Sequence, residues 1–402
     1  MAIRRMQTFS KPNSVINSRL NNKYIFMFFC LTISIMMISI VLIQLFVFVL
    51  FLFYLFEKNE EKRKAFDSYT VVVFMFGIVR IIAITFSNFP SSSIPALYKE
   101  AFFYLGILVF GFYIKAFYKK IDLIIGVFIV SSTIVALLGI VLFDLNLVYR
   151  AQSFSSGYTV FSIFLLQSFI LTAFTFRELK FKNSYLLGGI SMILIITAII
   201  TSMGRTNIAI VFIVSLCALV MKKIDLKLLL IILIITGALS YISFKLNYNE
   251  VSRHIENPTS LSDRDIIWEG ASKLAFTHPI IGYGPRTFNN IFPFPERFSD
   301  KGIGAWHNQY LDMYFESGVI GLFSFIYLIF YLIKGCVNYL KRKTQADFKK
   351  GTIQGLLYLF IAYCLTSLTT GFVTSIILSI QFAFFIGILS AIEHFSNSDY
   401  SL

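Results

Sequence analysis

Charge is what this sequence has least of: 14% of its 402 residues are Asp, Glu, Lys or Arg, against roughly 25% in an average soluble domain. With 57% hydrophobic residues and 46 phenylalanines, a soluble fold could not hide so much apolar surface. The phenylalanines fall in runs close to the 18 or so residues that cross a hydrocarbon layer. Lipid is therefore the expected solvent. Cysteine is scarce as well: Cys30, Cys217, Cys336 and Cys364 lie within or at the ends of apolar runs, no two at metal-ligand spacing, and read as small apolar side chains. The polar stretch 246–317 holds no cysteine, which excludes a disulfide framework there. Acids are nearly missing from the apolar runs. Glu100, Asp122, Asp144 and Glu393 all sit near run ends, whereas an ion-coupled transporter keeps carboxylates at mid-membrane, where a charge costs at least about 2.5–3.5 kcal/mol. The transporter class loses weight accordingly.

What is present is an all-α integral membrane pattern of about twelve spans, over 24–38, 40–56, 68–87, 94–114, 123–143, 158–176, 185–202, 206–221, 228–245, 319–334, 352–370 and 373–391. The run from Tyr24 to Phe56 is long for one upright helix and short for two. A tight hairpin around Ser39 is expected; a single helix there would reverse every later side assignment. Residues 1–23 are polar and basic, and no small-residue cleavage site follows, so this region is expected to be an uncleaved anchor.

The net charge of +14 would suggest nucleic acid in a soluble protein, but in a membrane protein it is first sorted by side. With the N-terminus inside, segments 1–23, 57–67, 115–122, 177–184, 222–227 and 334–351 collect about two thirds of the 35 lysines and arginines. Both termini are then cytoplasmic. The chain divides into a membrane bundle of about nine spans (1–245), an extracytoplasmic loop (246–317) expected to carry the catalysis, and a last set of spans with a short cytoplasmic tail (318–402). Within the loop, Ser262 can cap a helix to Phe276, with Asp265 three residues on and His278-Pro279 as its stop. Ile267, Ala271 and Leu274 would share one face. Gly282-Tyr283-Gly284-Pro285 marks a tight turn, and a second helix is expected from about His307 to Glu316, ending at Ser317-Gly318.

Cations dominate the outer face, which points to an anionic substrate. Arg205 stands in the short connection Thr201-Ser202-Met203-Gly204-Arg205-Thr206-Asn207, at the mouth of two helices. Arg264 lies in the first turn of the loop helix. Two guanidinium forks can hold a diphosphate through charge-assisted bonds; alternatively, Arg205 snorkels and Arg264 pairs with Asp263 or Asp265. His307, at the start of a helix leading back to the membrane, could accept a proton from a sugar hydroxyl, a role worth roughly 10²- to 10⁴-fold in rate, or could simply cap that helix. Arg80, near the middle of a span, needs an internal partner or a water-filled groove. Arg150, Arg286 and Arg297 are further outer cations that no motif separates from solvated surface.

The order of these pieces is itself informative. Ser202-Met203-Gly204-Arg205-Thr206, Asp263-Arg264-Asp265-Ile266-Ile267-Trp268, Pro279-Ile280-Ile281-Gly282-Tyr283-Gly284, His307-Asn308-Gln309-Tyr310-Leu311-Asp312 and Glu316-Ser317-Gly318-Val319-Ile320-Gly321 follow one another. Together they resemble the O-antigen ligase and polymerase superfamily of bacterial envelope polysaccharide assembly, over about residues 202 to 322. The resemblance implies a membrane glycosyltransferase in the bacterial inner membrane with a periplasmic active site. Its donor would be an undecaprenyl diphosphate-linked oligosaccharide, and its acceptor either a lipid-linked glycan (polymerase, the favoured reading) or lipid A-core (ligase). Arg205, Arg264 and His307 would be catalytic, with Arg80, Arg286, Asn308 and Glu316 also lining the substrate site. No metal or other cofactor is expected. Membrane lipids, and a chain-length regulator protein, are the implied partners; nucleic acid is not. The rival of another class is a polysaccharide flippase, which would need a cationic central cavity.

Overall fold

The computed structural model describes residues 23–180, 183–247, 264–298, 304–342 and 349–398. Among them the fold is helical with short 3₁₀ turns and no strand. The apolar run from Tyr24 is two helices, α1 (Lys23–Ser34) and α2 (Ile40–Leu55), and the Ser39 hydroxyl caps α2 by accepting the Leu42 N–H at 3.3 Å. Short α3 (Asn59–Ala65) leads to α4 (Ser68–Thr85), capped by Asp67 through the Thr70 N–H. Then come α5 (Pro90–Ala116), α6 (Ile121–Asp144), α7 (Tyr158–Thr175), α8 (Ser184–Thr201), α9 (Arg205–Val220) and α10 (Leu226–Leu246). The expected start of α5 at 94 moves back to Pro90, a residue whose missing N–H suits a first turn.

The polar loop contributes α11 (Arg264–Leu274) and the single turn α12 (Phe288–Ile291). The Ser262 cap expected for α11 lies outside the described residues. Ile267 and Ala271 are buried and Leu274 packs beside them, against Tyr283, Phe288, Phe292, Trp306 and Phe315. This small core ties the loop to the start of α13 and to Phe89 of the α4–α5 corner. Long α13 (Gln309–Lys341), α14 (Lys350–Thr366) and α15 (Ile376–Ser398) complete the chain. α15 is the central element, laying Phe382, Phe384 and Phe385 against Phe103, Phe110 and Phe128 of α5 and α6.

Among the described residues eight helices are long and apolar enough to cross a membrane, and α1, α2 and α9 are shorter apolar helices. Their outward faces expose Val41, Phe48, Ile78, Phe212, Ile234, Phe323 and Phe330, a spread of apolar surface that water would not tolerate and lipid does. The chain is thus an all-helical integral membrane protein.

The connections sort into two ends. At one, α6–α7 touches α8–α9 (Ala151 N–H to Thr201 O, 3.2 Å), α4–α5 touches the polar loop (Asn88 N–H to Tyr283 O, 3.2 Å), and α14–α15 touches the start of α13 (Gln309 N–H to Ser367 O, 2.7 Å). The α1–α2 turn joins it through Ser155 Oγ, which donates to Met37 O. At the opposite end Lys115 pairs with Asp67 and Arg342 with Glu393, and Glu178 accepts the Gly351 N–H.

Candidate active site

The site end is built on a break in α13. Gly318 has φ 65° and ψ −166°, a conformation nearly closed to any residue with a Cβ. A Cβ there would lie 2.0 Å from Ile280 O. The break frees carbonyls that a continuous helix would use, and the turn Pro279–Gly284 takes them: Tyr283 N–H donates to Phe315 O at 2.8 Å and Gly284 N–H to Glu316 O at 3.1 Å, while Val319 N–H donates to Pro279 O at 2.8 Å. Two sequence motifs, Pro279–Gly284 and Glu316–Gly321, are therefore one structural unit. Ser87 and Ser93 of the α4–α5 corner lock its other side, through Tyr283 O and Pro285 O.

Beneath this unit Arg80 is buried, and each of its donors is engaged. Nε and Nη2 donate to Glu100 at 3.1 and 2.5 Å, Nη2 also to Glu316 at 2.7 Å, and Nη1 to Ser317 Oγ at 2.8 Å and Met313 Sδ at 3.9 Å. Internal pairing, one of the two roles open to Arg80 from the sequence, is what the geometry displays, and no N–H is left to point at a ligand. Glu316 is equally occupied: its second oxygen accepts the Arg286 backbone N–H at 2.7 Å. That bond fixes Arg286 at φ 60°, a left-handed backbone that a side-chain-bearing residue adopts at a cost. The Arg286 guanidinium then donates to Thr374 O at 3.1 Å and leaves Nε buried without a partner. Its charge is felt by Lys99 on α5 and by Asp312.

His307 has the same kind of backbone, φ 47°. Neighbours on both sides enforce it. Trp306 is buried and stacked on Phe315 at 4.2 Å, and Asn308 caps α13 by accepting the Tyr310 and Leu311 N–H groups at 2.9 and 3.2 Å. Strain retained between two anchors is a reason to look for function. His307 is exposed, yet the protein around it strips part of its hydration; this, and secondarily the Arg264 charge, hold its pKa below the usual histidine value. The neutral imidazole, able to accept a proton, is thus favoured.

Arg264 opens α11, half-buried, and Arg205 opens α9 with its side chain exposed. The free N–H groups of the α9 first turn add partial positive charge beside Arg205. Arg150 rests over the Tyr158 ring at 4.4 Å. Arg297 is instead paired with Glu269 at 2.7 Å, which separates it from Arg150 and Arg286.

The structure brings Arg264 within electrostatic reach of His307, and Glu316 onto Arg286, while Arg80, Asn308 and Glu316 lie in the layer that supports them. Sequence reasoning passed over Glu100, set aside as a residue near a span end, and Gln309, whose Oε1 accepts the Phe372 and Val373 N–H groups at 2.7 and 2.9 Å. A search for a carboxylate partner to Arg80 among neighbouring spans would have found Glu100.

A search of curated proteins gives no match. Residues 190–326 match the family model described as O-antigen ligase, a stretch running from α8 through Arg205, Arg264 and His307 to the Gly318 break. Over these residues the chain is similar to the O-antigen ligase family, which supports its resemblance to the O-antigen ligase/polymerase superfamily.

Proposed function

We propose that the protein is a bacterial surface-polysaccharide polymerase, a twelve-span inner-membrane glycosyltransferase with both termini in the cytoplasm and the Arg264–His307 face in the periplasm. The donor is an oligosaccharide on undecaprenyl diphosphate and the acceptor a second lipid-linked repeat unit. The observation that carries this reading is His307, held in a left-handed backbone at the exposed start of α13 and within electrostatic reach of Arg264. His307 takes the proton of the acceptor hydroxyl as its oxygen attacks the anomeric carbon. The bond from that carbon to the phosphate oxygen breaks, and the electron pair leaves on the diphosphate. Arg264 and Arg205 stabilise that growing charge, a contribution largest where water is excluded. Arg286 lines the same face, positioned by Glu316 and, through it, by Arg80. No metal is needed in this scheme. A chain-length regulator is a further proposed partner.

The test is the banding pattern of surface polysaccharide after gene deletion and complementation with wild type or His307→Ala. Core carrying a single repeat unit supports the polymerase. Loss of all attached chains, with polymer accumulating on the lipid carrier, replaces it with the ligase, which uses lipid A-core as acceptor. Normal chains in His307→Ala, Arg205→Ala and Arg264→Ala at normal protein level would sink both and return weight to a flippase.

A further inference from the structure

We infer that Arg150 belongs to the anion site and, beside Arg205, binds a phosphate of a polyprenyl-linked diphosphate. This rests on the glycosyltransferase reading and adds a residue that lies outside the matched segment 190–326. Arg80, Arg177, Arg297 and Arg342 pair with carboxylates. Arg150 makes no ion pair among the described residues. It is held instead by aromatic rings, 4.4 Å from the centroid of Tyr158 and 5.8 Å from that of Tyr149, and its Nε is buried without a hydrogen-bond partner. A guanidinium pressed on a ring has lost water on one face, and an orphaned buried donor is a standing cost that an acceptor would remove. Phosphate oxygens are such acceptors, matched to the guanidinium fork.

Two tethers bring Arg150 to the corner that carries Arg205. The next residue, Ala151, donates its N–H to Thr201 O, the last residue of α8. One turn beyond Tyr158 on α7, Ser162 Oγ accepts from Asn207 Nδ2 at 2.7 Å and stands 3.3 Å from where a Cβ would sit on Gly204. Arg150 and Arg205 thus flank one connection. The surroundings specify a lipid-borne anion over a free one. The same loop exposes Leu145, Leu147 and Phe154, so a cation lies at an apolar margin of the bundle, suited to a phosphate with a prenyl chain attached.

The experiment measures binding of undecaprenyl diphosphate, undecaprenyl monophosphate, polyprenol and inorganic pyrophosphate to the purified full chain in nanodiscs, with thermal melting as a check on folding. Arg150→Ala is expected to weaken the diphosphate roughly 10- to 100-fold, the range for losing one charge-assisted contact, and to erase most of the preference over the monophosphate. Arg150→Lys should recover part of the affinity, since it restores charge without the fork. Tyr158→Leu, removing the platform and leaving the charge, should show a smaller loss. Wild-type affinity in Arg150→Ala, alongside a large loss in Arg264→Ala, overturns the inference and leaves the glycosyltransferase reading standing. Equal binding of diphosphate and polyprenol by the wild type overturns both. Pyrophosphate binding as tight as the lipid overturns the choice of a lipid-borne ligand.

Discussion

The two ends of the bundle treat charge differently. At the end bearing α3 and the α14 N-terminus, cations and carboxylates are matched across helices: Lys115 with Asp67 at 2.9 Å, Lys223 with Glu178 at 3.3 Å, Arg342 with Glu393 at 3.1 Å, and Lys349 with Asp122. At the other end Arg286 is held by a carbonyl and Arg150 by rings. Charges matched to each other fasten helices and leave little field behind, whereas cations anchored by neutral groups keep theirs for a ligand. Arg297, paired with Glu269 at the surface, departs from this on the site end, as does buried Arg80 with Glu100 and Glu316. Arg297 supplies an internal control.

The largest effect should come from the Gly318 break. Gly318→Val places a Cβ in the space of Ile280 O, and the expected outcome is little or no monodisperse protein on size exclusion. Recovery of stable, active Gly318→Val would mean that the site end does not depend on this unit. Glu316→Ala comes next. It leaves Arg80 with one carboxylate and Arg286 N–H with none, a loss of about 3–5 kcal/mol by analogy with other broken buried pairs; a melting temperature within a degree of wild type would show that the cluster is dispensable.

The acid limb of kcat/KM addresses His307 directly. Since burial and then Arg264 lower its pKa, the neutral base persists below the ordinary value of about 6.5, and activity should fall only at more acid pH. In the residual activity of Arg264→Gln the limb should move upward, while staying short of 6.5 because the shielding remains. At the opposite end Glu178→Ala removes the acceptor of the Gly351 and Thr352 N–H groups at the start of α14. It should cost about 0.5–2 kcal/mol, as lost helix caps do, with turnover per folded molecule unchanged. Arg297→Ala should be the mildest, within about 1 kcal/mol for an exposed pair, and neutral in the polysaccharide assay. A strong defect there would erase the contrast between Arg297 and the outer cations Arg150 and Arg286.

Local chemistry made part of this legible in the sequence. The Ser39 hairpin, the Ile267–Ala271–Leu274 face and the halt at Ser317-Gly318 each depend on a few adjacent residues, and each matches the fold. The Arg80 cluster does not depend on adjacent residues: Glu100 lies 20 positions away and Glu316 lies 236 away. Only helix packing brings them together. The helix that carries the expected span 319–334 runs on to Lys341, since a lysine such as Lys334 can run its stem along apolar surface and keep its charge in water. His307 and Asn308 were legible as residue types at a helix start, but not that one would be strained and the other would cap.

The discontinuity at Gly318 also has a mechanical meaning. From Val319 to Lys341 the second part of α13 is roughly 34 Å long at about 1.5 Å per residue, more than a hydrocarbon layer of about 30 Å requires. Such a segment tilts when bilayer thickness changes. Because the two parts of α13 are joined by a glycine and not by a continuous helical ladder, that tilt need not turn the segment carrying Asp312 and Glu316. The break can act as a joint that lets the lipid-facing helix adjust to its membrane while His307 keeps its bearing.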